Sequence, residues 1–79
     1  MVGGAMAVGR VAMETLGDRV RVRRMLLGMS QEDAAAEADM SRTTWSRLEN
    51  DEIDARLNTL QRVACALDMS LGELLDKLA

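Results

Sequence analysis

The chain contains no histidine, proline, phenylalanine or tyrosine, and it has a single cysteine and a single tryptophan. Each absence removes something. Without histidine, and with Cys65 alone, the common nucleophile–base pairs cannot form and His/Cys metal sites cannot close. The acids are scattered over surface positions of predicted helices, and no glycine-rich stretch could cradle a phosphate. Neither an enzyme nor a metal or cofactor binder is expected. One cysteine excludes an internal disulfide and fits a reducing compartment, the cytoplasm. The lack of proline and the scarcity of β-branched residues favour helix throughout. Long apolar runs are missing too. The opening MVGGAMAVG is short, broken by glycine and not preceded by a basic residue, so it reads as neither a signal peptide nor a span. No membrane partner is expected.

What remains is a chain of 79 residues rich in Ala, Leu, Val and Met, with formal net charge −3. That length supports one domain, near the lower limit for folding without staples. Helix start and stop signals divide it. A first helix is expected from about Val11 to Leu27, ending at Gly28. Ser30 caps a second, QEDAAAEA, with acids in its first turn. Asp39-Met40 turns the chain, and Ser41 caps a third helix over about 42–50. After NDEIDAR, which has no apolar period, Asn58 or Thr59 caps a fourth, LQRVACAL. Ser70 and Glu73 form a capping box opening a fifth, LGELLDKL. Residues 1–10 stand apart, either flexible or part of an interface, and residues 11–79 form the domain.

The apolar stripes assign the core. They are Ala34, Ala35 and Ala38 in the second helix, Leu60, Val63, Ala64 and Leu67 in the fourth, and Leu71, Leu74, Leu75 and Leu78 in the fifth. The alanines need a bulky neighbour, and Trp45 is the candidate. The first helix's stripe runs Leu16, Val20, Arg24, Leu27. A guanidinium on the core side requires an anion there. Glu49 lies on the inner arc of the third helix, so an Arg24–Glu49 ion pair is expected to tie the two helices together.

The third helix carries SRTTWSRLEN. At about 100° per residue, Arg42, Thr43, Ser46, Arg47 and Asn50 fall on one continuous arc. That arc holds hydrogen-bond donors and two guanidinium groups but no acid, although the chain has thirteen acids. Two short helices joined by a tight turn, the second presenting such a face, have the form of a helix-turn-helix.

At this point RVRVRRMLLGMSQEDAAAEADMSRTTWSRLEN…LNTLQRVACALDMSLGELL resembles the phage-repressor and Cro-type (XRE-like) helix-turn-helix family. The resemblance covers about residues 16–78 and is carried by GMSQED, SRLEN and LNTLQRVACALDMSLGELL. It implies an all-α, five-helix, lambda-repressor-like fold that binds double-stranded DNA with the third helix in the major groove. Arg42, Thr43, Ser46 and Arg47 match positions that face base edges. Gln31 matches a position that contacts a phosphate and braces the recognition helix, and Asn50 matches a backbone-contacting position. Arg24 and Glu49 match a pair that is often ion-paired. Arginine's two-donor fork suits guanine, and a threonine methyl suits the methyl of thymine. Arg56 is expected at the DNA backbone, with Arg19, Arg21, Arg23 and Arg62 as further candidates for such contacts.

The chain departs from the family pattern at four places. Ala34 replaces a usual Leu while Trp45 replaces a smaller residue, a volume exchange. Asp39 stands in the turn where Gly is usual, and Asp51, Glu52 and Asp54 follow Asn50 where Gly and Lys are common. The expected function is a sequence-specific transcriptional regulator, a repressor, acting in the nucleoid as a homodimer on a palindromic operator. Leu75, Leu78 and Cys65 mark the C-terminal helix as the dimer surface, with the N-terminal segment as the alternative. The acidic loop also leaves room for a protein partner, as in an antitoxin or inhibitor on the same fold.

Overall fold

The computed structural model describes residues 14–78. Five helices follow in order: α1 Leu16–Leu26, α2 Gln31–Glu37, α3 Arg42–Glu49, α4 Leu57–Ala66 and α5 Leu71–Leu75. No strand occurs among the described residues. The expectations for residues 1–10, and for Val11–Met13 of the first helix, lie outside them.

Four helices start on a side-chain cap. Ser30 Oγ accepts from the Asp33 amide at 2.9 Å and Ser41 Oγ from the Thr44 amide at 3.1 Å. Ser70 and Glu73 complete a capping box, in which the Ser70 backbone N–H donates to Glu73 Oε1 at 2.8 Å. Hydrogen bonds from the Ser70 backbone and then its side chain hold the Glu73 carboxyl below its ordinary range. The first helix begins later than Val11. Thr15 is extended (φ −91°, ψ 167°) and forms a box with Asp18, so helix starts at Leu16. The fourth begins earlier than Asn58. Its N-cap is Arg56, with no side-chain cap bond, and the Leu60 amide reaches back to the Arg56 carbonyl at 2.9 Å.

The helix ends share one device. In α1, α2, α3 and α4 the residue after the C-cap takes a positive φ: Gly28 (72°), Asp39 (58°), Asp51 (58°) and Asp68 (55°). Each time the amide of the following residue bonds a carbonyl five positions back. The pairs are Met29 to Arg24, Met40 to Ala35, Glu52 to Arg47 and Met69 to Ala64, at 2.9–3.1 Å. These are Schellman closures. Aspartate fills the left-handed position three times because its short polar side chain tolerates that region better than most. Met29, Met40 and Met69 then fold onto the core.

That core is Val20, Ala34, Ala35, Ala38, Trp45, Leu48, Val63, Ala64, Leu67 and Leu74. Trp45 and Ala34 are both fully buried in that cluster. Ile53 and Ala55, in the stretch read as aperiodic, also pack against it. Leu27 does not. It is the exposed C-cap of α1, and Gly17 is buried instead. The fifth helix is shorter than LGELLDKL. Asp76 is extended, Lys77 has φ 58°, and Leu75 is exposed, so the apolar period outruns the helix.

Two arginines of RVRVRR close helix ends rather than facing outward. Arg23 donates through Nε to the Leu67 carbonyl (2.9 Å) and through Nη2 to that of Asp68 (3.1 Å), at the end of α4. Arg19 Nη1 donates to the carbonyls of Glu73, Leu74 and Asp76 at the end of α5, and pairs with Glu14 at 2.7 Å. A cation placed on unsatisfied C-terminal carbonyls is favourable on both hydrogen-bonding and dipole grounds. Arg19 and Arg23, two of the candidates for backbone contact, are thus engaged within the fold. Arg21 pairs with Asp18 on the surface at 2.8 Å.

Candidate nucleic-acid interface

Helix α3 is seated by its inner arc. Trp45, Leu48 and Glu49 are buried, while Arg42, Thr43, Arg47 and Asn50 are exposed and Ser46 is half-buried. The residues expected on the outer arc therefore share one surface. It is Asn50, the C-cap, that ends the helix, so α3 stops at Glu49.

The seat is a polar network centred on Glu49, which is 2% exposed. Its Oε2 accepts from Arg24 Nε at 2.6 Å and from Trp45 Nε1. Its Oε1 accepts from Gln31 Nε2 at 3.0 Å and Arg24 Nη2 at 3.2 Å. Arg24 Nη1 also donates to the Met29 carbonyl at 2.9 Å. Burial pushes the Glu49 carboxyl up, but the hydrogen bonds from Arg24, Gln31 and Trp45 and the charge of Arg24 outweigh it. Its pKa lies below the ordinary value. The carboxylate is thus kept charged, and among the described residues no buried side-chain nitrogen or oxygen lacks a partner. The expected Arg24–Glu49 pair is present. It belongs to a four-residue knot linking α1, α2 and α3.

Gln31, expected at a phosphate, spends one amide hydrogen on Glu49. Its second hydrogen and its carbonyl have no partner among the described residues. It is half-buried at the start of α2, and its amide braces α3 through Glu49.

The loop after α3 is anchored to the beginning of α1. Asp51 Oδ1 accepts from the Gly17 amide at 2.9 Å and Oδ2 from Thr15 Oγ1 at 2.7 Å. Gly17 is there because nothing larger fits: a Cβ would lie 2.4 Å from the Glu49 carbonyl oxygen and 2.8 Å from Asp51 Oδ1. One of the loop's acids is thus consumed internally. Glu52 lies beside Arg47, Oε1 to Nε 4.0 Å, both side chains more than half exposed. Asp54 and Arg56 are exposed.

Sequence reading did not single out Thr15, Gly17, Asp51 as an anchor, or the Glu52–Arg47 contact. The one available signal was Thr15-x-x-Asp18, a capping box written with Asp. No cluster of three or more His, Cys, Asp or Glu side chains placed to hold a metal occurs among the described residues, and no described helix is long and apolar enough to cross a membrane.

The profile of a family described as Helix-turn-helix matches residues 20–74, from the middle of α1 to α5. Among solved structures, the DNA-binding domain of the phage P22 c2 repressor superposes with a TM-score of 0.77. It is 26% identical, with 85% of this chain and 90% of that chain covered. The same repressor in complex with a synthetic operator gives 0.75 at 26% identity, covering 81% of this chain and 97% of that one. The restriction-modification controller protein C.AhdI of Aeromonas hydrophila gives 0.74 at 30% identity, covering 76% and 91%. A search of curated proteins returned no match. The lambda-repressor-like, all-α fold anticipated from the sequence is the fold of these neighbours.

Proposed function

The chain belongs to the helix-turn-helix family, a family of DNA-binding regulators rather than enzymes, and from that premise we propose that it is a transcriptional repressor reading double-stranded DNA with α3. The observation that carries the reading is the acid-free outer arc of α3, held in place from beneath by the Glu49 network. A reading helix must present its side chains in fixed register, because base discrimination rests on bidentate geometry.

Arg42 and Arg47 supply guanidinium forks for base edges, and Thr43 and Ser46 supply hydroxyls, with a methyl on Thr43. Gln31 offers its remaining amide hydrogen to a phosphate, and Asn50 and Arg56 take backbone phosphates on either side of the loop. Arg56 stands at the start of α4, whose first amides have no side-chain cap. One such domain makes few base contacts, so two copies act on a palindromic site about one helical turn apart. The exposed edge of α5 at Leu75, with exposed Cys65 on neighbouring α4, is the surface assigned to that homodimer. The work is done in the cytoplasm, on the nucleoid.

The competing antitoxin- or inhibitor-like reading drew on the acidic loop, and Asp51 no longer counts toward it, since both of its carboxylate oxygens are used by α1. Selection of bound duplexes from a random pool tests the proposal. Enrichment of one inverted-repeat sequence is expected; a pool that stays random after repeated rounds would overturn sequence-specific reading.

A further inference from the structure

The Schellman closure recurs at the ends of four helices, and the residue that closes it breaks the pattern once. In α1, α2 and α4 that residue is Met29, Met40 or Met69, half-buried and packed on the core. In α3 it is Glu52, exposed and polar. The backbone geometry of the motif brings this residue against the side chain five positions earlier. Here the Glu52 amide bonds the Arg47 carbonyl at 2.9 Å, and the carboxylate lies 4.0 Å from Arg47 Nε. The proximity is therefore built in by the helix end. It sets an acid against one of only two cations on the outer arc of α3.

We propose that Glu52 is a specificity-determining residue: it holds the Arg47 guanidinium in cis and repels phosphate, so that Arg47 is released only to a base edge that replaces the carboxylate with two well-aligned acceptors. The inference rests on the DNA-reading assignment of α3. Its physical content is a competition. On arbitrary duplex Arg47 could reach only phosphates, which offer charge but no fixed geometry. That gain is offset by separating Arg47 from Glu52 and by bringing Glu52 close to phosphate. On the cognate step, a bidentate contact in the groove returns more than the exposed ion pair gave. Glu52 thus weakens nonspecific binding more than specific binding and widens the ratio between them.

The test uses the full chain and two probes: the duplex recovered by selection with the parent protein, and a scrambled duplex of the same length and composition. Glu52→Gln, and Glu52→Met in imitation of the other three closures, should raise affinity for the scrambled duplex about 3- to 10-fold near 0.1 M salt and steepen its salt dependence. Affinity for the selected duplex should change less than about 2-fold, so the ratio falls. Asp54→Asn removes the same charge two residues away and should leave the ratio nearly unchanged. In an Arg47→Ala background, Glu52→Gln should no longer alter the ratio. An equal gain on both duplexes, or an Asp54→Asn effect as large as that of Glu52→Gln, would overturn the role of Glu52 by reducing it to bulk charge. A parent that bound neither duplex would instead overturn the DNA-reading assignment, so the two failures are distinguishable.

Discussion

Arg24→Ala strands the most heavily bonded carboxylate among the described residues. The substitution removes two of the four donors to Glu49, its only countercharge among the described residues, and the partner of the Met29 carbonyl. Glu49 stays 2% exposed in the parent geometry and keeps only the neutral donors of Gln31 and Trp45. Breaking a buried pair from one side costs about 3–5 kcal/mol. A domain of this size has total stability on the order of 4–12 kcal/mol, so the variant should lose about a quarter of it or more. Urea melts followed by Trp45 fluorescence read the effect at the site of damage, since the indole N–H donates to the same carboxylate. Arg24→Met with Glu49→Leu should recover much of the loss but not all. The Trp45 N–H and the Gln31 amide would then lack their acceptor, at about 1–3 kcal/mol for a buried donor.

The sign of the pH dependence follows from the lowered Glu49 pKa. A folded-state pKa depressed below the unfolded one means stability that is fully present above the ordinary carboxylate range and lost as pH falls through the folded value. The difference in stability between parent and Glu49→Gln should therefore be constant near neutrality and shrink below about pH 4. A urea midpoint for Arg24→Ala equal to that of the parent would refute the reasoning, as would a difference from Glu49→Gln that grew on acidification.

Gly17→Ala should destabilise by about 1–3 kcal/mol in thermal melts, because its Cβ would meet the Glu49 carbonyl and Asp51 Oδ1 at once. Asp39→Gly should stabilise by about 0.5–1 kcal/mol by relieving a positive φ. Asp51→Gly gains the same relief but gives up the Thr15 and Gly17 bonds, so it should melt below Asp39→Gly. Arg42→Ala and Arg47→Ala should leave melting nearly unchanged and cost about 1–3 kcal/mol each in binding the selected duplex; Arg56→Ala should weaken all duplexes alike and flatten the salt slope. Sedimentation at micromolar concentration should show a dimer that Leu75→Glu dissociates without unfolding, and an 8.7 kDa species for the parent would reject it.

What could be read in advance was of two kinds. Local signals named the caps at Ser30, Ser41 and Ser70, because a cap and the amide it serves lie within four residues. Composition logic named the Arg24–Glu49 pair and the seat of Trp45 among alanines, because a charge or a void in a core demands an answer. The misses have equally definite causes. Arg19 and Arg23 bond backbone carbonyls, which every residue has, so no partner type marks the contact in sequence. Gly17 answers the close approach of a backbone more than thirty positions away. Leu78 continues an apolar period that the backbone abandons at Asp76. Gln31 and Trp45 join the Glu49 network only because α2 and α3 meet at that angle.

The acidity of the chain also takes on a different meaning once eight of its thirteen carboxylates are placed. Asp18, Asp33 and Glu73 sit in first-turn caps, where the dipole and the free amides favour negative charge. Asp39, Asp51 and Asp68 occupy left-handed helix ends. Glu14 holds Arg19, and Glu49 is buried on Arg24. These carboxylates are tied to helix ends and joints, and none of them lies on the outer arc of α3. A net charge of −3 is therefore compatible with a donor-rich outer face on α3, because long-range attraction and local geometry are separate terms. The first sets how readily any duplex is met, and here it is weak. The second sets which duplex is kept, and under the proposed reading it rests on Arg42 and Arg47, carried by a helix that the Glu49 network seats. Under the proposed reading, such a design gives up nonspecific affinity across its surface, and Glu52 does the same beside Arg47.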